Sequence, residues 1–479
     1  MKLKQIFTTS HVPPAIGEKI IKGINDNSRL VKKGDIFFVK PGNNFDVFSV
    51  LKKIESKVLV FAAAEKDVDR IAKCNLRKPV IFVKNINEEF CKAVDLFYNF
   101  SKSNLKFIGI TGTKGKTTTA FIVQHLLSGL KQNASLIGTV KYIIDGKTYE
   151  PTHTTPDFLT LRKIFCGIKK SKNNYVVMEI SSHSIDQDRI KGISFSRCVF
   201  TNLSREHLDY HKTMRNYFIT KKSFFLKNPA AISIINKDDK QATELMKGLK
   251  KTVTYGINSD ADFKANYLVI NKYGIKFRLS YKGKDFNVES NLLGRHNVSN
   301  VLCAIATIFS LGFALSDIIK IINNFKGVEG RLEEVKNGIF IDYAHSPDSL
   351  EKAMLALKDI GYGKIICVFG CGGNRDKGKR KIMGHIASKL SDFTIITSDN
   401  PRNEDPLDIC RQIESGFSGK NYSLIPDREK AINKALKMKD GHSDTCLLIA
   451  GKGHENYQII GDKKIFFKDR TVVEKLLKK

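Results

Sequence analysis

The chain has 479 residues, of which 42% are hydrophobic and 27% are charged, with 34 Gly and 11 Pro. This length predicts about three domains of ~150 residues each, and the apolar fraction is sufficient for large cores. Collagen-like, low-complexity and disulfide-scaffold proteins are therefore excluded. The nine cysteines form no CxxC pair, which argues against a zinc site and favours a reducing compartment such as the cytoplasm.

The formal net charge of +31 allows three interpretations. The lysines are spread along the chain and are not gathered into one run, so we favour a lysine-rich composition. An enzyme of anionic substrates comes second, and a nucleic-acid binder comes third. The longest uncharged stretch, residues 297–316, contains six Asn, Ser or Thr residues and predicts a buried helix rather than a membrane span. We therefore expect a cytoplasmic protein without nucleic-acid binding or membrane insertion.

The predicted elements change in character along the chain. Short strands alternate with turns over the first hundred residues, at 35–39, 58–63 and 79–83. From Leu105 a strand, a glycine turn and a helix begin an α/β alternation that continues to about Lys326. After a linker at 327–331, three more strands are predicted at 365–370, 393–398 and 446–451. The chain is thus predicted to be α/β with parallel sheets and three domains, at residues 1–100, 101–328 and 329–479.

A glycine-rich loop follows the strand KFIGIT and precedes a helix-like segment. Glycines allow main-chain N–H groups to approach phosphate oxygens, and the helix N-terminus adds partial positive charge. The strict GxxxxGK[ST] pattern is missed because position 110 is Ile, yet Lys116 and Thr117 stand where a phosphate-binding lysine and a Mg²⁺-binding hydroxyl are needed. We therefore predict an ATP site made by Gly112, Thr113, Lys114, Gly115, Lys116, Thr117 and Thr118.

Two further groups of polar residues follow predicted strands. Glu179 lies near the end of the strand 175–182, where a carboxylate either faces the nucleotide metal or serves as a cap or an ion-pair partner. The segment 201–211 then places two histidines, His207 and His211, among acidic side chains. Such clusters at a strand end indicate a reactive site more often than a lone histidine does.

Nine segments carry a resemblance to a known family. In chain order they are TGTKGKTTT, MEISSHSIDQDRI, TNLSREHLDYH, GRHNVSNVLCAIA, EGRLEEV, IDYAHSPDSL, GCGGNRDKGKRKIM, SDNPRNEDP and GKGHE. Together they resemble the Mur ligases, and among these the UDP-MurNAc-tripeptide synthetases that extend a bacterial cell-wall precursor. The matches run from about residue 105 to 455. The resemblance implies an N-terminal UDP-binding domain, a central P-loop ATPase domain with a parallel sheet, and a C-terminal Rossmann-like domain for the incoming amino acid.

The resemblance also implies a reaction. ATP would phosphorylate the γ-carboxylate of D-Glu in UDP-MurNAc-L-Ala-D-Glu, and the amine of a diamino acid would attack the acyl phosphate. Both steps build negative charge, which explains a need for lysines and Mg²⁺. We expect a monomer that acts on these small-molecule substrates. Other ligases of the superfamily, such as lysine-adding or folylpolyglutamate synthetases, are the nearest alternatives.

Residue roles follow from the resemblance, position by position. Lys116, His207 and Lys221 match catalytic positions, and Lys221 matches the lysine that the family carbamylates with CO₂, although Lys222 leaves the register open. The implied metal ligands are Thr117, Glu179, His207 and the carbamate of Lys221. The implied ATP contacts outside the loop are Asn297, Arg331, Asp342 and His345. The implied precursor contacts are Ser28, Thr154, Thr155, Ser181, Gln187 and Arg189.

Two positions depart from the family's pattern. Glu206 stands where the family commonly has Asp. Val47 and Phe48 replace a Gly-His pair that the family often has, so uracil contacts beyond Ser28 are not predicted.

The C-terminal loops bear on which amino acid is added. If the three predicted strands are parallel, the loops that follow them meet at one sheet edge, where open α/β sheets bind ligands. These loops carry Arg375, Asp399, Asn400, Pro401, Arg402, Gly451 and Glu455. The tetrad DNPR resembles the signature of the meso-diaminopimelate-adding enzymes, and a guanidinium can grip the extra carboxylate with two hydrogen bonds. The alternative is that Arg402 only pairs with Glu404 at the surface.

Overall fold

The computed structural model describes residues 1–7, 12, 14–42, 45–102, 104–168 and 174–478. These residues form two compact units. The first unit contains residues 1–106, 155–174 and 183–193, and the second contains 107–154, 175–182 and 194–479, apart from the positions outside the described ranges. The α/β class is confirmed, whereas the three domain boundaries given above stay a prediction.

The strands are numbered in chain order. They are β1 Gly23–Asn25, β2 Asp35–Phe38, β3 Val58–Ala64, β4 Val80–Val83, β5 Lys106–Thr111, β6 Asn133–Ile137, β7 Tyr142–Ile144, β8 Lys147–Tyr149, β9 Asn174–Glu179, β10 Phe195–Phe200, β11 Ile232–Asn236, β12 Thr252–Gly256, β13 Phe263–Asn271, β14 Gly274–Tyr281, β15 Lys284–Ser290, β16 Glu333–Lys336, β17 Ile339–Asp342, β18 Lys364–Phe369, β19 Phe393–Ile396, β20 Tyr422–Leu424, β21 Thr445–Ala450, β22 Tyr457–Ile460 and β23 Lys463–Phe466.

The α-helices are numbered in the same way. They are α1 Pro14–Gly17, α2 Leu51–Ile54, α3 Val68–Ala72, α4 Ile86–Phe97, α5 Lys116–Gly129, α6 Phe158–Gly167, α7 Ser182–Asp186, α8 Leu208–His211, α9 Met214–Leu226, α10 Ala242–Met246, α11 Arg295–Ser310, α12 Leu315–Ile322, α13 Pro347–Asp359, α14 Gly378–Leu390, α15 Pro406–Glu414, α16 Arg428–Lys439 and α17 Asp469–Leu476.

The first unit is built on a parallel sheet in the order β1-β2-β3-β4. Phe38 of β2 packs edge-on against Phe90 of α4, with ring centroids 5.2 Å apart. The segment that contains α6 joins this unit through Arg162, whose buried guanidinium donates to Asp95 at 2.7 Å. Residues from the middle of the chain therefore complete the core of the N-terminal sheet.

In the second unit, a mixed sheet has the order β15-β14-β13-β12-β11-β10-β5-β9-β6-β7-β8. The strand β5 pairs in parallel with β10 and ends at the glycine loop, which leads directly into α5. The buried helix predicted over 297–316 is two helices, α11 and α12. Gly312 lies between them with φ +98°, a left-handed conformation that ends the first helix.

A second sheet of this unit has the order β16-β17-β21-β18-β19-β20. The three strands predicted in the C-terminal third are adjacent here, and β21, β18 and β19 pair in parallel. Each is buried on both faces, as expected for a sheet covered by helices. Their carboxyl ends therefore lie along one edge. Among the described residues, no helix is long and apolar enough to cross a membrane.

Candidate active site

Two positions of the glycine loop after β5 have a main-chain conformation that favours glycine. Gly112 has φ +147°, and a Cβ there would lie 1.9 Å from the Thr201 hydroxyl oxygen. Gly115 has φ +83°, and a Cβ there would lie 2.5 Å from Oδ1 of Asn300. The loop is also fixed by Asn202, whose main-chain and side-chain oxygens accept the N–H groups of Thr113 and Lys114 at 2.8 and 3.0 Å.

Lys116 begins α5 and folds back over the loop. Its ammonium donates to the carbonyls of Gly112 and Thr113, at 2.9 Å each. Burial lowers the pKa of Lys116 from its usual value, and the negative charges of Glu179 and Glu206 oppose this shift. The side chain thus lies over the glycine loop, and its contact with phosphate stays a prediction.

Thr117 and Glu179 meet at the start of α5. The Thr117 hydroxyl donates to Oε2 of Glu179 at 2.8 Å, and the carboxylate is fully buried at the end of β9. Thr139 donates to the same carboxylate from its main-chain N–H at 2.7 Å and from its hydroxyl at 3.0 Å. A carboxylate beside two hydroxyls offers the hard oxygen donors that Mg²⁺ prefers when phosphates and waters complete its coordination. These residues fit the metal that the resemblance implies.

Lys221 lies in the middle of α9 and is 1% exposed. Its ammonium donates to the Gly112 carbonyl at 2.9 Å and to the Thr111 hydroxyl at 3.3 Å. Burial, and then the positive charge of Lys116, lower the pKa of Lys221 well below its usual value. The neighbouring Lys222 instead donates to the carboxylate of Glu244 at 3.0 Å, away from the loop.

His207 precedes α8 with φ +57°, a left-handed conformation that is uncommon for histidine. Its Nε2 is 4.0 Å from Oε2 of Glu206, whose other oxygen accepts from the ammonium of Lys114 at 2.8 Å. Although burial opposes it, Lys114 and Lys116 lower the pKa of Glu206. Glu206, which stands where the family commonly has Asp, therefore pairs as a carboxylate with Lys114 of the glycine loop.

Arg331, in the segment before β16, contacts the start of α5 next to the glycine loop. Its Nη2 donates to the Thr117 hydroxyl at 3.4 Å, and its buried Nε has no partner in the described part of the chain. Asp342, at the end of β17, accepts the Leu332 N–H at 2.6 Å, and burial raises the pKa of Asp342. The sequence resemblance placed both residues at the ATP site, and Arg331 is the one that the structure brings to the loop.

The other two predicted ATP contacts are engaged locally. Nδ1 of His345 lies 2.8 Å from the carbonyl of Tyr343, and burial lowers the pKa of His345 to about 4. Asn297 donates to the Leu293 carbonyl at 2.8 Å and accepts from Asn300, which itself packs against Gly115. Asn297 therefore orients Asn300, which packs against the glycine loop.

Some predicted precursor contacts are brought together within the first unit. Arg189 donates to the Thr155 carbonyl at 2.9 Å and to Oε1 of Gln187 at 2.7 Å. Ser28 lies half-buried in a turn closed by a hydrogen bond between the Leu30 N–H and the Asn27 carbonyl.

Two predicted precursor contacts belong to the second unit. The Thr154 hydroxyl lies 3.1 Å from that of Thr139, the residue that also holds Glu179. Ser181 is half-buried two residues after Glu179. Their contact with a precursor stays a prediction.

The loop after β19 carries the predicted amino-acid tetrad. Arg402 has φ +51°, and its main-chain N–H donates to the carbonyl of Ile459 at 3.0 Å. Its Nη1 donates to the Gly373 carbonyl at 2.9 Å, which ties the loop after β18 to the tetrad. Asn400 donates to Oε2 of Glu455 at 3.0 Å, which ties the loop after β21 to it as well.

Further contacts support the same edge. A Cβ on Gly451, whose φ is +110°, would lie 2.7 Å from Oδ2 of Asp399, so only glycine lets the two loops approach in this way. Pro401 is buried, and Arg375 is exposed on the loop after β18. The three loops thus converge as the parallel strands predict.

The alternative pairing of Arg402 with Glu404 is not what the structure shows. Glu404 accepts from both Nη groups of the fully buried Arg380, at 2.8 and 3.1 Å, and from the Asn374 N–H. Arg380 and Asn374 lower the pKa of Glu404 to about 2. Glu404 therefore pairs with Arg380, and Arg402 donates instead to the carbonyls of Gly373 and Asn400.

Sequence reasoning missed two groups near this edge. Lys452 is fully buried, and its ammonium donates to Oε2 of Glu455 at 3.0 Å. Its signal was a lysine between two glycines directly after a buried strand. Arg428 and Asp469 form a fully buried pair, and their separation of 41 positions leaves no local signal.

Comparisons with known proteins identify relatives of this chain. Residues 110–308 match the Mur ligase middle domain, and residues 330–453 match the Mur ligase, glutamate ligase domain. UDP-N-acetylmuramoyl-L-alanyl-D-glutamate--2,6-diaminopimelate ligase 1 of Clostridium acetobutylicum is 38% identical over 100% of this chain and 99% of its own length. The ligase of that name from Rickettsia rickettsii is also 38% identical, over 99% and 98%. The chain belongs to the Mur ligase family.

Solved structures extend the comparison to the fold. A structure of a UDP-N-acetylmuramoyl-L-alanyl-D-glutamate--2,6-diaminopimelate ligase is 28% identical, with a TM-score of 0.69 over 100% of this chain and 99% of that one. A MurF ligase of Thermotoga maritima, crystallised with ADP, is 18% identical, with a TM-score of 0.63 over 95% and 96%. The second likeness shows the shared fold alone.

Proposed function

We propose that the chain is an ATP-dependent ligase of peptidoglycan precursor synthesis. It joins meso-2,6-diaminopimelate to the D-Glu γ-carboxylate of UDP-MurNAc-L-Ala-D-Glu. The observation that carries the proposal is the convergence of Arg402, Asn400 and Glu455 at one sheet edge. This edge belongs to a chain that is 38% identical, over its full length, to a ligase named for these substrates.

In the first step, the γ-phosphoryl group of ATP passes to the precursor's carboxylate. The loop N–H groups and the start of α5 bind the phosphates, and the Lys116 ammonium turns from the Gly112 carbonyl to the transferring oxygens. Thr117 and Glu179 would hold Mg²⁺, which neutralises charge on the phosphate oxygens when bound. Arg331 adds a second cation beside Thr117.

Lys221 supports the metal site as a carbamate in this proposal. The Lys221 ammonium first loses one proton. The neutral amine then forms an N–C bond to CO₂ as one C=O π bond opens onto oxygen, and a second proton leaves the nitrogen, so that a cation becomes an anionic oxygen donor. The reaction needs the neutral amine, and the burial of Lys221 beside Lys116 lowers its pKa in the required direction. His207 and Glu206 lie beside the same loop, and His207 completes the proposed ligand set.

In the second step, the amine of diaminopimelate attacks the acyl phosphate, an amide bond forms and phosphate leaves. The amino-acid site recognises a substrate with a carboxylate and an ammonium at each end. Arg402 and Arg375 suit the carboxylates, while Asp399 and Glu455 suit the ammonium groups. Lysine lacks the second carboxylate and would leave Arg402 without its partner, which disfavours lysine.

The remaining assignments are part of the same proposal. Arg189, oriented by Gln187, suits a phosphate or a carboxylate of the precursor, and Thr155 and Ser28 of the same unit are further proposed contacts. The proposal also places the enzyme in the cytoplasm, as a monomer that neither binds nucleic acid nor inserts into a membrane. Light scattering after size exclusion tests the monomeric state, and a salt titration of binding to DNA and RNA tests the absence of nucleic-acid binding.

The proposed function is tested by ligation with UDP-MurNAc-L-Ala-D-Glu, ATP and Mg²⁺. Meso-diaminopimelate and L-lysine are offered in separate reactions, and the product mass is read by mass spectrometry. Product with diaminopimelate alone supports the proposal. A preference for lysine keeps the ligase and rejects the role given to Arg402, and folded, ATP-binding protein that ligates neither amino acid rejects the substrate assignment.

A further inference from the structure

Arg428 and Asp469 form a forked ion pair inside the C-terminal part of the second unit. Nε and Nη2 of the arginine each donate to a different carboxylate oxygen, at 2.7 Å, and both side chains are 0% exposed. Arg428 is the first residue of α16, and Asp469 is the first residue of α17. The pair therefore joins the starts of two helices that are distant in sequence.

The same guanidinium also reaches two strand ends. Nη2 donates to the carbonyl of Ala450 at 3.0 Å, and Nη1 donates to that of Ser398 at 3.4 Å. Ala450 is the last residue of β21, and Ser398 follows β19, so the arginine spans the end of β18, which lies between these strands. The residue after Ala450 is Gly451, and the residue after Ser398 is Asp399. The arginine thus holds the chain at the residue immediately before each of the two loops of the proposed amino-acid site.

We propose that Arg428 and Asp469 are positioning residues that set the separation between loop 399–402 and loop 451–455, and with it the affinity for the diamino acid. The inference rests on the proposed function. One loop carries Arg402 and the other carries Glu455, so their separation must match the distance between charged groups of one rigidly bound substrate. Displacements of about 1 Å in such a site cost up to ~100-fold in activity.

If the pair only stabilised the fold, its replacement by apolar side chains would have a different effect. Well-packed apolar side chains often replace a buried ion pair without loss of stability. Apolar side chains cannot donate to the carbonyls of Ala450 and Ser398, however, so the loops lose this shared contact even when the fold survives and the hydrogen bond of Asn400 to Glu455 remains. The double variant Arg428→Met/Asp469→Leu therefore separates the two roles.

The experiment measures KM for the amino acid, KM for ATP and kcat in the wild-type protein and in this double variant. Thermal unfolding and circular dichroism check that each protein is folded. We expect KM for the amino acid to rise roughly tenfold or more, while KM for ATP stays within about twofold, because the ATP loop lies on another sheet. Arg428→Lys keeps the charge without the fork, and we expect it to raise the same KM.

The matched control is the exposed pair of Glu429 and Lys475, which joins the same two helices at 2.8 Å without touching either loop. Glu429→Gln/Lys475→Met should leave all three kinetic parameters unchanged. The proposal is overturned if the folded Arg428→Met/Asp469→Leu protein keeps the wild-type KM for the amino acid. It is also overturned if the control raises that KM equally.

Hydrogen exchange keeps the test independent of the proposed substrate. In the Arg428→Met/Asp469→Leu protein, the main-chain amides of residues 399, 400, 402 and 451–455 should exchange faster than in the wild type, and in the control they should not. If the wild-type protein ligates no amino acid, the proposed function fails while this readout still decides the positioning role. Unchanged exchange in both loops rejects the positioning role whatever the substrate is.

Discussion

The ammonium groups of Lys116 and Lys221 both donate to the main-chain carbonyl of Gly112, each at 2.9 Å. Two ammonium groups on one oxygen repel each other, and the positive charge of Lys116 lowers the pKa of Lys221 in addition to the effect of burial. Under the proposed function, this site receives negative charge from ATP phosphates at Lys116 and from a carbamate at Lys221. Lys221 is proposed as the residue that CO₂ modifies because its ammonium, unlike that of Lys222, lies at the glycine loop.

The adjacent lysines 221 and 222 therefore offer a matched pair of variants. We expect Lys221→Met to lose ligation by about 100-fold or more, because an anionic metal ligand is absent. Lys222→Met should retain activity, since that side chain donates to Glu244 away from the loop. With ¹³C-labelled CO₂, a carbamate carbon resonance should be seen in the wild-type and Lys222→Met proteins and be absent in Lys221→Met. The opposite pattern would move the carbamate to Lys222.

Glu404 gives a pH-dependent contribution to stability. Its folded-state pKa is lowered to about 2 by Arg380 and the Asn374 N–H, against 4.5 for the ordinary group. A lowered carboxyl pKa stabilises the folded state above pH 4.5, and this contribution is lost as the pH falls toward 2. Glu404→Gln should therefore lower the free energy of unfolding by about 3 kcal/mol at pH 7, because Arg380 keeps a buried charge.

Urea denaturation between pH 7 and pH 3 measures this difference. The gap between wild type and Glu404→Gln should be constant near neutrality and narrow below pH 4.5. The exposed Glu351→Gln is the control and should show a small, flat difference. A gap for Glu404→Gln that is unchanged at pH 3 would contradict the ionic origin of the effect.

The sequence predicted the elements that depend on local pattern. Strand-like runs at 365–370, 393–398 and 446–451, separated by helical stretches, predicted parallel strands, and β18, β19 and β21 confirm them. The sequence after Leu105 predicted a strand, a glycine turn and a helix, and β5, the loop with Gly112 and Gly115, and α5 confirm that order.

Long-range pairing could not be predicted in this way. Glu404 lies two positions from Arg402 but pairs with Arg380, 24 positions away, because α14 brings that arginine to the tetrad loop. Likewise, the pair of Arg428 and Asp469 depends on how α16 and α17 pack. Side-chain partners across elements follow from tertiary packing, and hydrophobic periodicity does not specify them.

Arg331 should act on the chemical step more than on ATP binding. Its guanidinium lies 3.4 Å from the Thr117 hydroxyl, and its buried Nε has no partner in the described ranges, which leaves it for a phosphate oxygen. Arg331→Lys keeps a charge but loses the fork, so we expect kcat to fall about 100-fold while the ATP dissociation constant changes by less than about fivefold. Steady-state ligation and calorimetric titration with ATP measure the two quantities.

The control for this variant is Arg295→Lys, because Arg295 is exposed at the start of α11 and donates to Asn258 at 3.2 Å. It should leave both quantities unchanged. A large loss of ATP affinity in Arg331→Lys with an unchanged kcat would assign Arg331 to ground-state binding instead.

Arg402 should decide between diaminopimelate and lysine. Within the described chain, Nη1 of the guanidinium donates to the carbonyls of Gly373 and Asn400, at 2.9 and 3.4 Å. This orients the group and leaves its other edge for a carboxylate, which only diaminopimelate presents at that end. Arg402→Ala should raise KM for diaminopimelate about 100-fold, because a charge-assisted forked contact is lost. KM for lysine should change by less than about threefold, because no carboxylate contact is removed.

The control is Arg411→Ala, which removes an exposed arginine on the following helix α15 and should alter neither KM value. An equal rise for both amino acids would mean that Arg402 only shapes the loop, and the preference would then have to come from Arg375 or Glu455.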